Sequence, residues 1–270
     1  MGKGLRDRMR RSITSAAGYV IVGMTVGILA FGTYTRNALW RDDIAFWEDG
    51  IRKAPQKERP HHNLGYAYYE AGRFEDARRE FEMALALNPQ FTLSMYNLGL
   101  VFYRKGMTEK TIEYCQRTLE MKDPPPETYF NLGLAYCQEG RYGPAVRSFK
   151  TFLKAKPDYP NGYTNLGLAY QHLKRWREAV QSFEEELRRH PEDPYSHLYL
   201  GDLYFERKAY HEALFHFKKC LGCPRLSDKD EVVRVQKIIS RIEGVSRRSG
   251  QRDGRRDRQR LERNPIGSEA

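Results

Sequence analysis

The sequence predicts an all-α fold, a solenoid in which helical hairpins stack one after another. A short motif recurs as Asn63-Leu64-Gly65, Asn97-Leu98-Gly99, Asn131-Leu132-Gly133, Asn165-Leu166-Gly167 and, with Tyr in place of Asn, Tyr199-Leu200-Gly201. Successive copies lie 34 residues apart without any insertion. Self-similarity at such a fixed period is typical of helical repeat arrays. No copy can bury its apolar face alone, so stacking of neighbours builds the core.

If residues 58–91 are taken as the first repeat, residues at the same position of each repeat can be compared. Such columns predict which side of each helix is packed. Position 20 is small and position 24, one helical turn later, is large, which is the pattern of a packed helix face. The two columns are Ala77, Thr111, Ala145, Ala179, Ala213 and Phe81, Cys115, Phe149, Phe183, Phe217. The pattern is weakest in the second repeat, where Thr111, Cys115 and Thr118 lie on this face.

Turn residues separate the helices. Gly72, Gly106 and Gly140 predict the left-handed residue that ends the first helix of a hairpin. The prolines at 89, 157 and 191 end the second helix before the next repeat. Lys174 and Lys208 replace the turn glycine in the last two repeats.

These columns resemble the tetratricopeptide repeat family. The resemblance covers residues 58–227 and implies five repeats, at 58–91, 92–125, 126–159, 160–193 and 194–227. It further implies a right-handed superhelical solenoid whose first helices line the concave side. The function that it implies is that of a non-catalytic scaffold for protein–protein interactions.

Residues 13–35 contain no charged side chain. At helical rise this length exceeds the roughly 30 Å hydrocarbon core of a bilayer. Five Lys or Arg residues precede it within residues 1–12. The positive-inside rule therefore predicts a cytoplasmic N-terminus, a single transmembrane helix and periplasmic repeats at a bacterial inner membrane.

Three alternatives for residues 13–35 stay open. One is a signal peptide cleaved near Ala30-Phe31-Gly32, which would leave a secreted or periplasmic protein. The others are the opposite membrane orientation and a buried soluble helix. Gly23 and Gly27 form a GxxxG pattern that can pair two membrane helices into a homo-oligomer, although chance spacing is the favoured interpretation.

Residues 36–57 are predicted to form an N-terminal capping half-repeat, with Leu39, Ile44, Trp47 and Ile51 at helical spacing. The junction after the apolar run also resembles that of bacterial sugar-transferase-like membrane proteins that carry a tetratricopeptide tail. That resemblance gives an alternative function, as a regulatory or substrate-presenting component of a membrane glycan-processing system. The acidic catalytic loops of such enzymes are missing here, so their activity is not implied.

The C-terminal end of the array is predicted to be closed by a capping helix at 228–244, which places Val235, Ile238 and Ile242 on one face. Residues 245–270 are rich in Arg and nearly devoid of apolar side chains, which predicts disorder. Two interpretations of this tail stay open. It is either solvated disorder without a dedicated ligand, or a segment that binds anionic lipid, glycan or nucleic acid.

The net charge of +11 is concentrated at the two ends of the chain, because residues 1–12 and 245–270 each contribute +4. Residues 13–244 carry only the remaining +3, so no specific nucleic-acid partner is expected.

The residues that usually carry chemistry do not form a site. The seven histidines show no metal-ligand spacing, so neither metal, cofactor nor catalytic residue is predicted. Cys220 and Cys223 form one CxxC pair, for which a structural role is favoured over a redox role. A disulfide among Cys115, Cys137, Cys220 and Cys223 stays open. Glu184-Glu185-Glu186 is expected to be a solvated helix face.

The resemblance places the binding site on the concave face of the first helices. Position 6 holds asparagines that are similar to the asparagine ladder of the O-linked N-acetylglucosamine transferase superhelix, where amides hold an extended peptide. The predicted groove consists of Asn63, Tyr66, Tyr69, Tyr96, Asn97, Leu100, Tyr103, Phe130, Asn131, Leu134 and Asn165. A purely structural role for these asparagines is the competing interpretation. A carboxylate clamp is not predicted, because His62 and Tyr66 stand where its first Lys and Asn would.

Overall fold

A computed structural model of the chain describes residues 42–224, 226 and 228–244. This part contains helices and turns and no strand. The helices are α1 (Asp43–Lys53), α2 (Glu58–Glu70), α3 (Phe74–Leu87), α4 (Thr92–Arg104), α5 (Thr108–Leu119), α6 (Glu127–Gln138), α7 (Tyr142–Ala155), α8 (Gly162–His172), α9 (Trp176–Arg189), α10 (Pro194–Glu206), α11 (Tyr210–Gly222) and α12 (229–244).

The predicted membrane helix at 13–35, the basic segment 1–12 and the Arg-rich tail 245–270 lie outside the described residues, as do residues 36–41 of the predicted half-repeat. Within the described ranges, every helix is too short or too polar to cross a membrane.

The chain divides into two compact units, the first ending at Pro124 and the second beginning at Pro125. In the first unit each of the helices α1 to α5 packs on the next, and α2 also touches α4. The second unit repeats this arrangement, with α6 to α11 packed in sequence and α6 touching α8. Each unit is therefore a stack of helical hairpins with its own core.

The turns inside the hairpins confirm the prediction for Gly72, Gly106 and Gly140, whose φ angles are 73°, 69° and 72°. Lys174 and Lys208 adopt the same left-handed conformation, at 60° and 61°. For a residue with a side chain this conformation costs about 1–2 kcal/mol. The geometry of the hairpin therefore imposes the turn even where glycine is missing.

The core of a hairpin is built on a glycine that faces a phenylalanine. A Cβ atom added to Gly133 would lie 2.6 Å from the ring of Phe149, and Gly65, Gly167 and Gly201 face their phenylalanines in the same way. Phe149 and Ala145 have no exposed surface. The missing side chain at position 8 is thus what lets the two helices approach around a large ring.

Helix α1 closes the core of the first unit. Ile44, Trp47 and Ile51 pack against the cluster of Leu64, Tyr68 and Phe81. The hydroxyl of Tyr68 donates a hydrogen bond of 3.0 Å to Glu48 of α1. In the second unit, Val235 and Ile242 of α12 pack with Phe217 and Leu198.

The expectation of a solvated face at Glu184-Glu185-Glu186 is wrong for its last residue. Glu186 is only 1% exposed. Its carboxylate accepts hydrogen bonds from the backbone N–H groups of Asn161 at 2.8 Å and Tyr163 at 3.0 Å, and lies 2.7 Å from Nδ1 of His190. Helix α8 starts at these N–H groups and has no side-chain cap from its own first turn. Glu186 therefore caps α8 from the neighbouring helix α9, and negative charge at a helix N-terminus is favourable.

Candidate functional site

In the first unit, the predicted groove residues lie on α2 and α4, which touch each other. Tyr66 is the most exposed of them, at 49%, whereas Asn97 is only 8% exposed. The remaining residues are half-buried, namely Asn63, Tyr69, Tyr96, Leu100 and Tyr103. The structure thus places one open aromatic ring among partly covered polar and apolar side chains.

An aromatic row extends from Tyr66 on this face. Its ring stacks on Tyr69, with the centroids 6.4 Å apart, and Tyr69 meets the edge of Phe74 at 5.8 Å. The guanidinium of Arg104 lies 5.3 Å from the centroid of Phe74 and 5.8 Å from that of Tyr69. Phe74 and Arg104 are not among the groove residues predicted from the sequence. Position 13, where Arg104 lies, is a groove position of the repeat and could have indicated it.

A groove of about 510 Å³ opens beside Tyr66, between α1 and α2. From the start of α1 it is lined by Asp42, Asp43, Ile44 and Trp47, and from α2 by Asn63, Tyr66, Ala67 and Glu70. The charge of Glu70 raises the pKa of the Tyr66 hydroxyl. The acidic residues of α1 were missed because the sequence analysis assigned residues 36–57 a capping role only.

In the second unit, several predicted groove residues take part in internal packing. The ring centroid of Phe130 lies 5.6 Å from that of Phe149 and 5.1 Å from that of Tyr159. Nδ2 of Asn165 donates a 2.8 Å hydrogen bond to the carbonyl of Asn161, one turn earlier. Asn131 is 9% exposed, and Leu134 is half-buried. Phe130 and Asn165 therefore contribute to the fold of this unit.

One hydrogen bond between neighbouring repeats occurs in both units. His62 Nδ1 lies 3.0 Å from the hydroxyl of Ser94, and the equivalent pair, Thr164 and Ser196, is joined at 2.7 Å. Burial lowers the pKa of His62 to about 4. A neutral His62 brings no positive charge to the position where a carboxylate clamp would have its lysine.

The four cysteines are free thiols. Burial raises the pKa of Cys115 and Cys220 to about 12 and that of Cys137 to about 11. A thiol with so high a pKa is a poor nucleophile at neutral pH. Among the residues that the structure describes, no group of three or more His, Cys, Asp or Glu side chains could hold a metal ion.

Two family models match the chain. A model described as TPR repeat matches residues 65–106 and 133–174, and a model described as tetratricopeptide repeat matches residues 164–221. No curated protein sequence matches significantly.

The chain is similar to several solved structures. YrrB, described as a TPR protein with an unusual peptide-binding site, superposes with a TM-score of 0.61 and 15% identity, covering 71% of this chain and 97% of YrrB. MamA from Desulfovibrio magneticus RS-1 gives a TM-score of 0.59 and 18% identity, over 64% of this chain and 97% of MamA. MamA from MSR-1 gives 0.55 and 25%, over 66% and 99%.

The identities to YrrB and to MamA from Desulfovibrio magneticus RS-1 are low enough that these two likenesses show the fold alone. The family models add the repeat type for the segments that they match, and those segments contain the Leu-Gly motifs and the turn residues described above. The chain is therefore an all-α protein that contains tetratricopeptide repeats, at residues 65–106 and 133–221.

Proposed function

We propose that this chain is a non-catalytic scaffold, anchored in the bacterial inner membrane by residues 13–35, whose periplasmic repeats bind protein partners in assembly or secretion at the cell envelope. The partner is held as an extended peptide segment on the first helices of the hairpins. Tetratricopeptide repeats mediate protein–protein interaction, which supports the general part of this proposal. The peptide-binding site named for YrrB supports the form of the ligand.

The observation that carries the proposal is the open face of α2 and α4 in the first unit. Tyr66 is 49% exposed and stacks on Tyr69, and Asn63 lines the same groove as Tyr66. Aromatic rings supply large contact area with few rotatable bonds. A carboxamide both donates and accepts hydrogen bonds, so it matches a peptide group without selecting a side chain.

The rigidity of the helices favours this face over the basic tail. Helices α2 and α4 are held by the hairpin core, so the binding surface exists before the partner arrives. A preformed surface loses little conformational entropy when it binds. A segment with the composition of residues 245–270 would lose that entropy as it became ordered on the partner.

The test begins with a partner captured by mild crosslinking in membranes. Changing Asn63 and Asn97 together to Ala, and separately Asn131 and Asn165, should each weaken its binding by about 1–3 kcal/mol, or about fivefold to 150-fold in Kd. Gln181→Ala, on an exposed position of α9, is the matched control. Titration of labelled partner measures Kd, and circular dichroism verifies that each variant is folded.

Deletion of residues 246–270 should change the salt dependence of binding more than its affinity. If the partner binds both asparagine variants unchanged but is lost on deletion of the tail, the repeats act only as a spacer and the proposal fails.

The same preparation tests the anchor and the alternative role. The chain should stay in the membrane pellet on alkali extraction, with its repeats open to protease from the periplasmic side. Recovery in the soluble fraction contradicts the anchor. Capture of a polytopic transferase favours instead a role in glycan processing, and a dimer that is lost on changing Gly23 and Gly27 to Leu indicates pairing of the membrane helices.

A further inference from the structure

The groove between α1 and α2 has an acidic lining. Asp42, Asp43 and Glu70 bring three carboxylates to it, and no Lys or Arg among residues 42–124 lines it. None of the three forms an ion pair with another described residue. Asp76 of the same unit, by contrast, forms ion pairs with Arg73 and Arg79. The groove therefore carries negative charge that the described structure leaves uncompensated.

The groove also offers aromatic surface beside these carboxylates. Trp47 lines one side and Tyr66 the other. Cations attract the faces of aromatic rings, and the apolar stem of a long basic side chain packs well on them. This protein uses that geometry internally, since the guanidinium of Arg73 lies 4.3 Å from the ring centroid of Tyr68. Equivalent pairs recur as Arg141 on Tyr136 at 4.7 Å and Arg175 on Tyr170 at 4.8 Å.

The volume of about 510 Å³ is large enough for one long side chain and its head group. Glu70 also lines the groove, close enough to Tyr66 for its charge to raise the pKa of the Tyr66 hydroxyl. The carboxylate of Asp42 accepts from the N–H groups of Ile44 and Ala45, at 3.1 Å and 3.3 Å, and is thereby fixed at the start of α1. The Asp42 acceptor for a bound cation is thus positioned in advance.

We infer that this groove binds an arginine or lysine side chain of the partner protein, with its stem between Trp47 and Tyr66 and its head among Asp42, Asp43 and Glu70. The inference rests on the proposed function and adds the chemistry of the ligand, an extended segment with a basic residue at this end of the first unit. Arg104 lies farther along the same face, on Tyr69 and Phe74. It repels a second cation there, so the basic residue is directed to the groove.

A probe that does not depend on knowing the partner tests this inference. The full chain is prepared in detergent with fluorine-labelled tryptophan, and fluorine NMR follows its three tryptophans, Trp40, Trp47 and Trp176. Trp47→Phe assigns the resonance of the groove. The probes are the blocked amides of arginine and of citrulline, which has the same shape without the charge.

Arginine amide should shift the Trp47 resonance saturably, at a concentration about tenfold lower than citrulline amide needs. The preference should weaken in high salt, because the carboxylates are open to solvent. Changing Asp43 to Asn and Glu70 to Gln together should remove the difference between the two amides. The control variant changes Glu109 and Glu120, two exposed carboxylates outside this groove, to Gln, and should preserve it.

Equal shifts with both amides, or none, would overturn the inference while leaving the asparagine test of the proposed function unaffected. A third outcome would identify a different occupant. If arginine amide binds only after Arg36→Gln and Arg41→Gln, the groove belongs to an arginine of the chain itself and the assignment to a partner is wrong. If the asparagine variants fail to weaken partner binding but Trp47 still selects arginine amide, the groove exists without the proposed peptide face.

Discussion

The hairpin α4–α5 of the first unit and the hairpin α6–α7 of the second follow the same repeat pattern but close on different side chains. Gly133 faces the ring of Phe149 so closely that an added Cβ would lie 2.6 Å from it. At the equivalent place in the first unit, a Cβ on Gly99 would lie 3.6 Å from Sγ of Cys115, an ordinary contact. The glycine is therefore a steric requirement in one hairpin and only a feature of the pattern in the other.

The looser hairpin compensates with local hydrogen bonds and a ring contact. Thr111 and Thr118 are fully buried, and their hydroxyls donate to the carbonyls of Met107 and Tyr114 one turn earlier, at 3.1 Å and 2.7 Å. The ring of Phe102 packs on Tyr114 with the centroids 4.9 Å apart. The hairpin with Cys115 at position 24 thus has these two hydrogen bonds and the Phe102–Tyr114 contact around the smaller side chain.

Position 27 of the repeat also differs between hairpins, and in one of them it holds a charged side chain. In the hairpin α4–α5 it is Thr118, whose hydroxyl donates to a carbonyl of its own helix. In the hairpin α8–α9 it is Glu186, whose carboxylate reaches the N-terminus of α8 and the ring of His190. The side chain at one position of the repeat can therefore form hydrogen bonds either within its own helix or to a different helix.

The largest effect is expected from Glu186→Gln. The substitution keeps the shape but removes a buried carboxylate that accepts from backbone N–H groups, and its amide nitrogen cannot accept. The free energy of unfolding of the second unit should fall by about 3 kcal/mol. Thr118→Val, the matched change in the first unit, should cost only about 1 kcal/mol. Urea unfolding measures both.

Hydrogen exchange locates the effect of the Glu186 substitution. The amides of Asn161 and Tyr163, which donate to this carboxylate, should exchange faster in Glu186→Gln, whereas those of α4 should not change. An unchanged urea midpoint with unchanged exchange at α8 would mean that the cap contributes nothing, and the comparison at position 27 would then be wrong.

The repeat pattern predicted the features that depend on position within one hairpin. The turn glycines and the small and large columns could be identified because a period of 34 residues fixes which side of each helix faces the core. The left-handed Lys174 and Lys208 also lie where the pattern places a turn residue.

Features that depend on a particular neighbour could not be predicted this way. Glu186 stands in a run of three glutamates, and periodicity alone does not tell which of them meets the start of another helix. Phe130 was assigned to the groove because of its position, although its ring packs on Phe149 and Tyr159. The acidic groove of α1 was missed because it needs the contact of a half-repeat with α2. Such pairings are properties of tertiary packing that a single sequence does not show.

A smaller effect is expected from Gly133→Ala, which tests the comparison of the two hairpins directly. The new methyl group would meet the buried ring of Phe149, so the second unit should lose about 1–3 kcal/mol of its unfolding free energy. Gly99→Ala has room beside Cys115, and alanine favours the helix over glycine by up to about 1 kcal/mol. It should therefore be neutral or stabilising. Equal losses in both variants, measured by urea unfolding, would contradict the steric account.

The last effect is that of pH, and it distinguishes two buried histidines. Burial lowers the pKa of His62 in the first unit and of His216 in the second from 6.5 to about 4. The unfolded chain takes up these protons near pH 6.5, whereas the folded chain does so only near pH 4. The stability that depends on keeping these two histidines neutral is therefore fully present above about pH 6.5. It is lost as the pH falls towards 4.

The two histidines should nevertheless differ, because His216 has another imidazole beside it. Its Nδ1 lies 3.0 Å from Nδ1 of His197, whose pKa burial also lowers, whereas His62 faces the hydroxyl of Ser94. Two imidazolium ions cannot share that distance without strong repulsion. Urea unfolding at pH 7.5 and pH 5 should thus show a flatter pH dependence for His216→Gln than for His62→Gln. The exposed His172→Gln should keep the slope of the unmodified chain, and a slope that all three leave unchanged would assign the acid sensitivity to carboxylates instead.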